Sequence, residues 1–130
     1  MTDYRISEAA RLLGVSDDTV RRWVDGGTLV ATTDSAGRAV IPGADLAARA
    51  QEIATGLRDD RHRSSARNRF VGLVTAITAD TVMAQVDLQC GPFRVVSLMS
   101  TEAVTEMGLE VGSTAVAVVK ATTVIVDEVS

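Results

Sequence analysis

The apolar residues of this chain change their repeat once, between residues 60 and 70, and no other feature limits the fold as much. Up to about residue 60 they recur at helical spacing. From residue 70 they alternate or run in short β-branched blocks, VTAIT, VVSLM, TAVAVVKA and TTVIVDEV. Strands show alternate residues on one face and helices every third or fourth, so neither pattern serves the other element. The 130 residues therefore read as an α+β chain of two small domains. The stretch between them, LRDDRHRSS, is charged and poor in apolar residues. We place the helical domain over 1–60, the linker over 61–63 and the β domain over 64–130.

Charge follows the same division. Residues 1–69 hold 11 arginines against 10 acidic residues, and residues 70–130 hold two basic residues against seven acidic ones. A polyanion is thus met by the first half, and the evidence for one must come from local patterning, because the whole chain is mildly acidic. Cys90 is the single cysteine and His62 the single histidine. Together they exclude an internal disulfide and leave no zinc-type cluster, and they do not look placed as a Cys/His nucleophile pair. The opening MTDYRISEAARLLG carries charges throughout, and no later run is long enough to cross a bilayer, so a soluble cytoplasmic protein is expected.

In ISEAARLLGVSDDTVRRWVDGGTLV, Ser7 is a candidate N-cap, and Ala9, Ala10, Leu12 and Leu13 give an apolar face before Gly14 ends the helix. Ser16 reads as a second N-cap, followed by Asp17 and Asp18 near the positive end of the helix dipole. Val20, Trp23 and Val24 then point one way, and Asp18, Arg21, Arg22 and Asp25 the other. Two short helices joined by a Gly-Val-Ser turn form a helix-turn-helix. Ser16, Thr19, Arg21 and Arg22 become candidate contacts to base edges and phosphates. A plain helical hairpin with a solvated face is the alternative. TLVATTDSAGRAVIP follows as two strands around Asp34-Ser35-Ala36-Gly37, which sets Arg38 just past the tip of a wing, within reach of a phosphate. The segment from Tyr4 to about Ile41 resembles the winged helix-turn-helix of the MerR and excisionase-like families, in which YxxxEAAxLLGVSxxTVRRW recurs. Beyond it, Leu46, Ala50, Ile53 and Leu57 form an i, i+4, i+7, i+11 seam, which pairs with a second chain or packs on its own helix-turn-helix.

The acidic second half opens with RSSARNRF, residues 63–70, three of them arginine. A small tetrahedral oxyanion needs several N–H and O–H donors converging on it and no carboxylate beside it. Ser65, Arg67 and Asn68 are such donors. Lys120, the single lysine, lies inside AVAVVKATTVIV, where burial makes sense if an anion neutralises it. Ser100-Thr101 and Thr122-Thr123 add hydroxyls at strand ends. The blander alternative lets Lys120 reach the surface and pairs Arg67 with Glu102 or Glu106.

SARNRFVGLVTAITADTVMAQVDL followed by VSLMSTEAVTEMGLEVGSTAVAVVKATTVIV is similar to the molbindin (Mop or TOBE) domain, over residues 64 to about 127. The marks are the SARN opening, the T-x-E-x-V-x-x-x-G-L-x-x-G block and the KA[ST][ST]V close, in that order. The resemblance implies a small OB-like five-stranded β-barrel that binds molybdate or tungstate between subunits. It implies a site of Ser65, Ala66, Arg67, Asn68, Ser100, Thr101, Ala103, Lys120, Ala121 and Thr122. Where the family commonly has Ser, this chain has Ala103, so only the backbone N–H at the start of a helix over Glu102 to Met107 is left to serve there.

Together the two resemblances imply a molybdate- or tungstate-responsive transcriptional regulator that binds double-stranded DNA. It is expected to carry no covalent cofactor and no free metal cation, and to be at least a dimer, with a hexamer through the barrels as the larger assembly. An intracellular molybdate buffer or store, its first half mediating assembly or protein contacts, is the alternative. A nucleic-acid-binding barrel is disfavoured by the acidity of the second half, which has only Phe70 and Phe93 to stack bases. An enzyme is not expected, because no nucleophile, base and orienting group occur together.

Overall fold

A computed structural model describes residues 2–55 and 63–129. Leu57, His62 and most of the expected linker lie outside the described residues. The chain divides into two compact units, Met1–Arg61 and His62–Ser130.

The first unit starts with strand β1 (Asp3–Arg5), which leads directly into helix α1 (Ile6–Leu13). The helix begins earlier than a Ser7 cap would allow. Arg5 is the N-cap, and its backbone N–H donates to Glu8 Oε1 at 3.2 Å, so the acid at the third helical position closes the turn without Ser7. Gly14 ends α1 in the left-handed region at φ 68°, a conformation costly for a residue with a Cβ. Val15 N–H then donates to Ala10 O at 3.0 Å. Helix α2 (Asp17–Asp25) is capped as expected, with Ser16 Oγ accepting from Thr19 N–H at 3.1 Å.

The wing consists of β2 (Thr32–Thr33) and β3 (Ala39–Pro42), and β1 pairs on the far side of β3, Tyr4 opposite Ile41. Helix α3 (Gly43–Thr55) follows. The core holds Ala9, Ala10, Val20, Leu29, Ile41 and Leu46, with Trp23, Val24 and Leu13 packed partly buried against it. Burying these side chains is the main stabilising term for so short a unit. This packing bears on two expectations. Leu12 leaves the apolar face and stands 61% exposed, while α1 buries the small pair Ala9-Ala10. Leu46, the start of the proposed seam, packs into its own helix-turn-helix core.

The second unit is an antiparallel sheet in the order β6-β5-β4-β7, built from β4 (Asn68–Ala79), β5 (Met83–Cys90), β6 (Phe93–Ser100) and β7 (Thr114–Val119), with helix α4 (Thr101–Met107) between the last two. β4 is shared. Its first half, Asn68 to Leu73, pairs with β7, and its second half, Leu73 to Ala79, pairs with β5, with a bulge between Val74 and Ala76. Changing partners at a bulge curls the sheet towards a barrel. The core of this unit is Val74, Ala84, Val86, Leu88 and Cys90 of the sheet with Val104 of α4.

The fifth strand expected of the barrel is absent from the described sheets. Ala121–Thr123 forms a single 3-10 turn instead, with Thr123 Oγ1 donating to Lys120 O at 2.8 Å. Val124 to Val129 then runs on without a ladder among the described residues, with Ile125 and Val126 84% and 90% exposed. An alternating apolar segment becomes a strand only where an edge is presented to it, and the turn at Lys120 carries this one off β7.

Candidate functional site

The opening and closing segments singled out by the sequence meet in space. Asn68 is the first residue of β4 and Val119 the last of β7, and they are partners in the ladder. Asn68 Nδ2 donates to Val119 O at 3.1 Å, so the amide that was expected to face an anion ties the two strands together. Ser65, Ala66 and Arg67 lead into this pair along the chain, and Lys120, Ala121 and Thr122 follow it. A turn orders the entry, in which Ala66 N–H donates to Ser64 Oγ at 3.1 Å and Arg67 Nη1 to Ser64 O at 2.9 Å. No ion pair from Arg67 to Glu102 or Glu106 occurs among the described residues.

Lys120 departs from the expectation of burial. It is exposed, as are Ala121 and Thr122, because the side chains of β7 alternate and the turn after Val119 places Lys120 on the outside of the sheet. Its charge stays in water within a single chain, and desolvation must come from another molecule.

Ser100, Thr101 and Ala103 form a second group, and the fold does not bring it to the first. Ser100 pairs with Met83, beside the Ala79 end of β4. β4 has 12 residues, which at the usual rise of a strand is about 36 Å of chain path from Asn68. Ser100 caps α4, its Oγ accepting the N–H of Ala103 at 3.1 Å. The backbone donor expected to compensate for the missing hydroxyl at Ala103 is therefore already engaged. Thr101 Oγ1 donates to Asp80 O at 2.8 Å and Thr101 N–H to Val82 O at 2.8 Å. Asp80 in turn accepts from the N–H groups of Met83 and Val82, both at 2.7 Å, which hold its carboxyl below the ordinary aspartate value of 3.8.

On the other unit, α2 exposes Ser16, Arg21 and Arg22, with Thr19 half-buried. Their hydrogen bonds are short-range and replaceable. Arg21 Nη1 lies 3.3 Å from Asp18 Oδ1, Arg22 Nη2 donates to Thr19 Oγ1 at 3.1 Å, and Ser16 Oγ is 2.9 Å from Thr19 Oγ1. Arg38, past the wing tip, lies 3.2 Å from Asp34 Oδ2. The backbone N–H of Arg38 is the main cause of a lowered Asp34 pKa. Exposed ion pairs of this kind contribute about 0–1 kcal/mol, little enough for a phosphate to displace them.

Two polar features carry no local sequence signal. Asp87, on β5, is buried under Arg94, whose Nε donates to Asp87 Oδ2 at 2.8 Å, and Gln85 Nε2 donates to Oδ1 at 3.1 Å. Gln85 and then Arg94 hold the Asp87 carboxyl below its ordinary value. In the first unit, the guanidinium of Arg49 stacks over Trp23 at 4.5 Å from the ring centroid. Trp23 and Arg49 lie too far apart in sequence for any periodic rule to pair them.

Residues 64–126 match the family of the TOBE domain, and residues 4–54 match a helix-turn-helix domain family. The molybdenum transport protein ModE of Herbaspirillum seropedicae is 36% identical over 70 residues, 53% of this chain and 26% of that protein. The chain thus spans about a quarter of that relative's length. A molybdate binding protein from Sporomusa ovata superposes with a TM-score of 0.50 at 28% identity, over 52% of this chain and the whole of that one. MopII from Clostridium pasteurianum, in an apo form, is 34% identical over 51% of this chain and the whole of its own, with a TM-score of 0.48. The chain thus carries a region that matches a helix-turn-helix domain family, followed by a region that matches the TOBE domain family.

Proposed function

We propose that the protein is a molybdate-responsive DNA-binding regulator acting in the cytoplasm, with tungstate as a second ligand. The observation that supports this reading is the ladder contact of Asn68 with Val119, which joins the strand that follows Ser65 to Arg67 to the strand that precedes Lys120 to Thr122, on a chain that also bears a helix-turn-helix. Backbone N–H groups, hydroxyls, a guanidinium and an ammonium are the donor set a tetrahedral dianion needs. Ser100, Thr101 and Ala103 lie at the far end of β4 and join this site only if a second copy supplies them. Contact with a partner would also take the exposed Lys120 out of water, where an anion then compensates its charge.

The same association suits the rest of the barrel. Val96, Leu98, Val116 and Val118, on the edge strands, are all at least 42% exposed, and so are Val71 and Leu73 on β4. Together they make a larger apolar surface than a monomer usually leaves in water. At least a dimer follows, with a hexamer through the barrels as the larger assembly. DNA is read by α2, of the MerR or excisionase-like kind, through Thr19, Arg21 and Arg22, with Ser16 at its start and Arg38 of the wing on the phosphates. Anion binding favours one arrangement of the assembly and so changes how two copies of α2 meet their half-sites.

Calorimetric titration with molybdate, tungstate and sulfate tests the ligand. Tight binding of the first two, weak sulfate binding and loss of at least tenfold in affinity in an Arg67→Ala, Lys120→Ala variant are expected, and equal affinity in the variant would remove these residues from the site. A molybdate store is the second reading, favoured by the coverage of the whole Sporomusa ovata molybdate binding protein by this barrel alone. Promoter DNA separates the two. A regulator binds it with an affinity that falls steeply with salt, because neutralised phosphates release counterions, and a store does not bind it.

A further inference from the structure

Trp23 stands where three parts of the first unit meet. It lies on α2, one residue after Arg22, and its side chain packs against the core. Its carbonyl accepts the N–H groups of Thr28 at 2.9 Å and Leu29 at 3.1 Å, which fastens the end of α2 to the stretch leading into the wing. The guanidinium of Arg49, from α3, covers its ring. One side chain of α3 thus touches the residue that joins the two elements exposed for DNA.

The contact has features that packing alone does not require. Arg49 Nε is buried without a hydrogen-bond partner, a cost an aliphatic residue in its place would avoid. Nη1 is held by Glu52 at 3.1 Å, which fixes the plane of the guanidinium. Beside it, a cavity of about 160 Å³ separates Asp45, Ala48, Arg49 and Glu52 on α3 from Thr28, Leu29 and Val30. Here α3 has room to shift against the stretch that leads to the wing, and the flat stack on Trp23 is a contact able to slide. In chain order α3 is the last described element of the first unit before the barrel.

We infer that Arg49 is a positioning residue that passes the movement of α3 to the recognition helix through the ring of Trp23. The inference deepens the proposed function and rests on it. Lysine keeps the charge of Arg49 but offers no plane to stack, so Arg49→Lys is the informative variant.

Trp23 is the single tryptophan of the chain, and the full-length protein therefore reports on the contact without a label. Calorimetry, tryptophan emission and DNA affinity are measured with and without molybdate in the wild type and in Arg49→Lys. The expected result has four parts: equal molybdate affinity in both proteins, a wild-type emission change that saturates with the binding isotherm, no such change in the variant, and a ratio of DNA affinities with and without molybdate that drops from at least about fivefold to less than twofold. A purely structural role would lower thermal stability and leave that ratio alone. Wild-type emission unmoved at saturating molybdate, or a ratio kept in Arg49→Lys, overturns the inference while the regulator reading stands. No molybdate heat in either protein removes the regulator reading and this inference with it.

Discussion

At the scale of single residues, close approach decides more than chemistry does. Gly72 lies on β4, and a Cβ there would sit 2.6 Å from both Cys90 Sγ and Gln89 O. The carbonyl belongs to a paired strand and cannot retreat without opening the ladder. Gly72→Ala should therefore cost the barrel about 1–3 kcal/mol, the range for overpacking, read from the urea midpoint of the barrel. A cost below about 0.5 kcal/mol would mean that the strands separate more easily than this contact implies. In the first unit, Ile41 is fully buried on β3, and Ile41→Ala should cost about 2–5 kcal/mol. Thermal unfolding should show that loss in the helix-turn-helix, with the barrel unaltered.

Among elements, the turn between β4 and β5 and the start of α4 behave as one piece. The Asp80 carboxylate accepts two backbone N–H groups of its own turn, and Asp80 O and Val82 O accept the hydroxyl and the N–H of Thr101. The folded pKa of Asp80 lies below the ordinary 3.8, so its contribution to stability is complete above that value and is lost as pH falls through the folded pKa. Asp87, also depressed, acts in the same window. Asp80→Asn should thus flatten the acid loss of barrel stability below about pH 4, followed by urea denaturation at each pH. An unchanged acid profile would show that the turn does not depend on the charge. Ser100 and Thr101 take their positions from this same piece, so if they are donors to the proposed molybdate site, the variant should also weaken molybdate binding at neutral pH.

For the whole molecule, two separate cores predict two unfolding events. Molybdate at about a hundred times its dissociation constant should stabilise the barrel by about 2.7 kcal/mol, read as a rise in the melting temperature of that transition. Assembly belongs to the same scale. Leu98 is 72% exposed on β6, and in an assembly through the barrels Leu98→Asp should lower the mass measured by light scattering and weaken molybdate binding in parallel. An unchanged mass would take Leu98 out of the interface.

Features that act over three or four residues were legible in the sequence. The change of apolar period separated a helical from a β half. Ser16 capped α2, Gly14 ended α1, and Asp34 to Gly37 turned the wing, because caps, left-handed glycines and tight turns are closed by bonds within the same short segment. The motif order also put the SARN opening and the KATT close into one expected site, and β4 and β7, the strands these segments adjoin, do pair. Where a side chain finally stood depended on contacts distant in sequence. Leu12 and Lys120 faced outward, the Ala103 N–H was taken by Ser100, and Val124 to Val129 joined no ladder among the described residues. Arg49 met Trp23 across helices, and the second donor group fell at the far end of β4. Sequence periodicity determines which face of an element is apolar. Only the register and curl of the assembled sheet and the packing of the helices decide what that face meets.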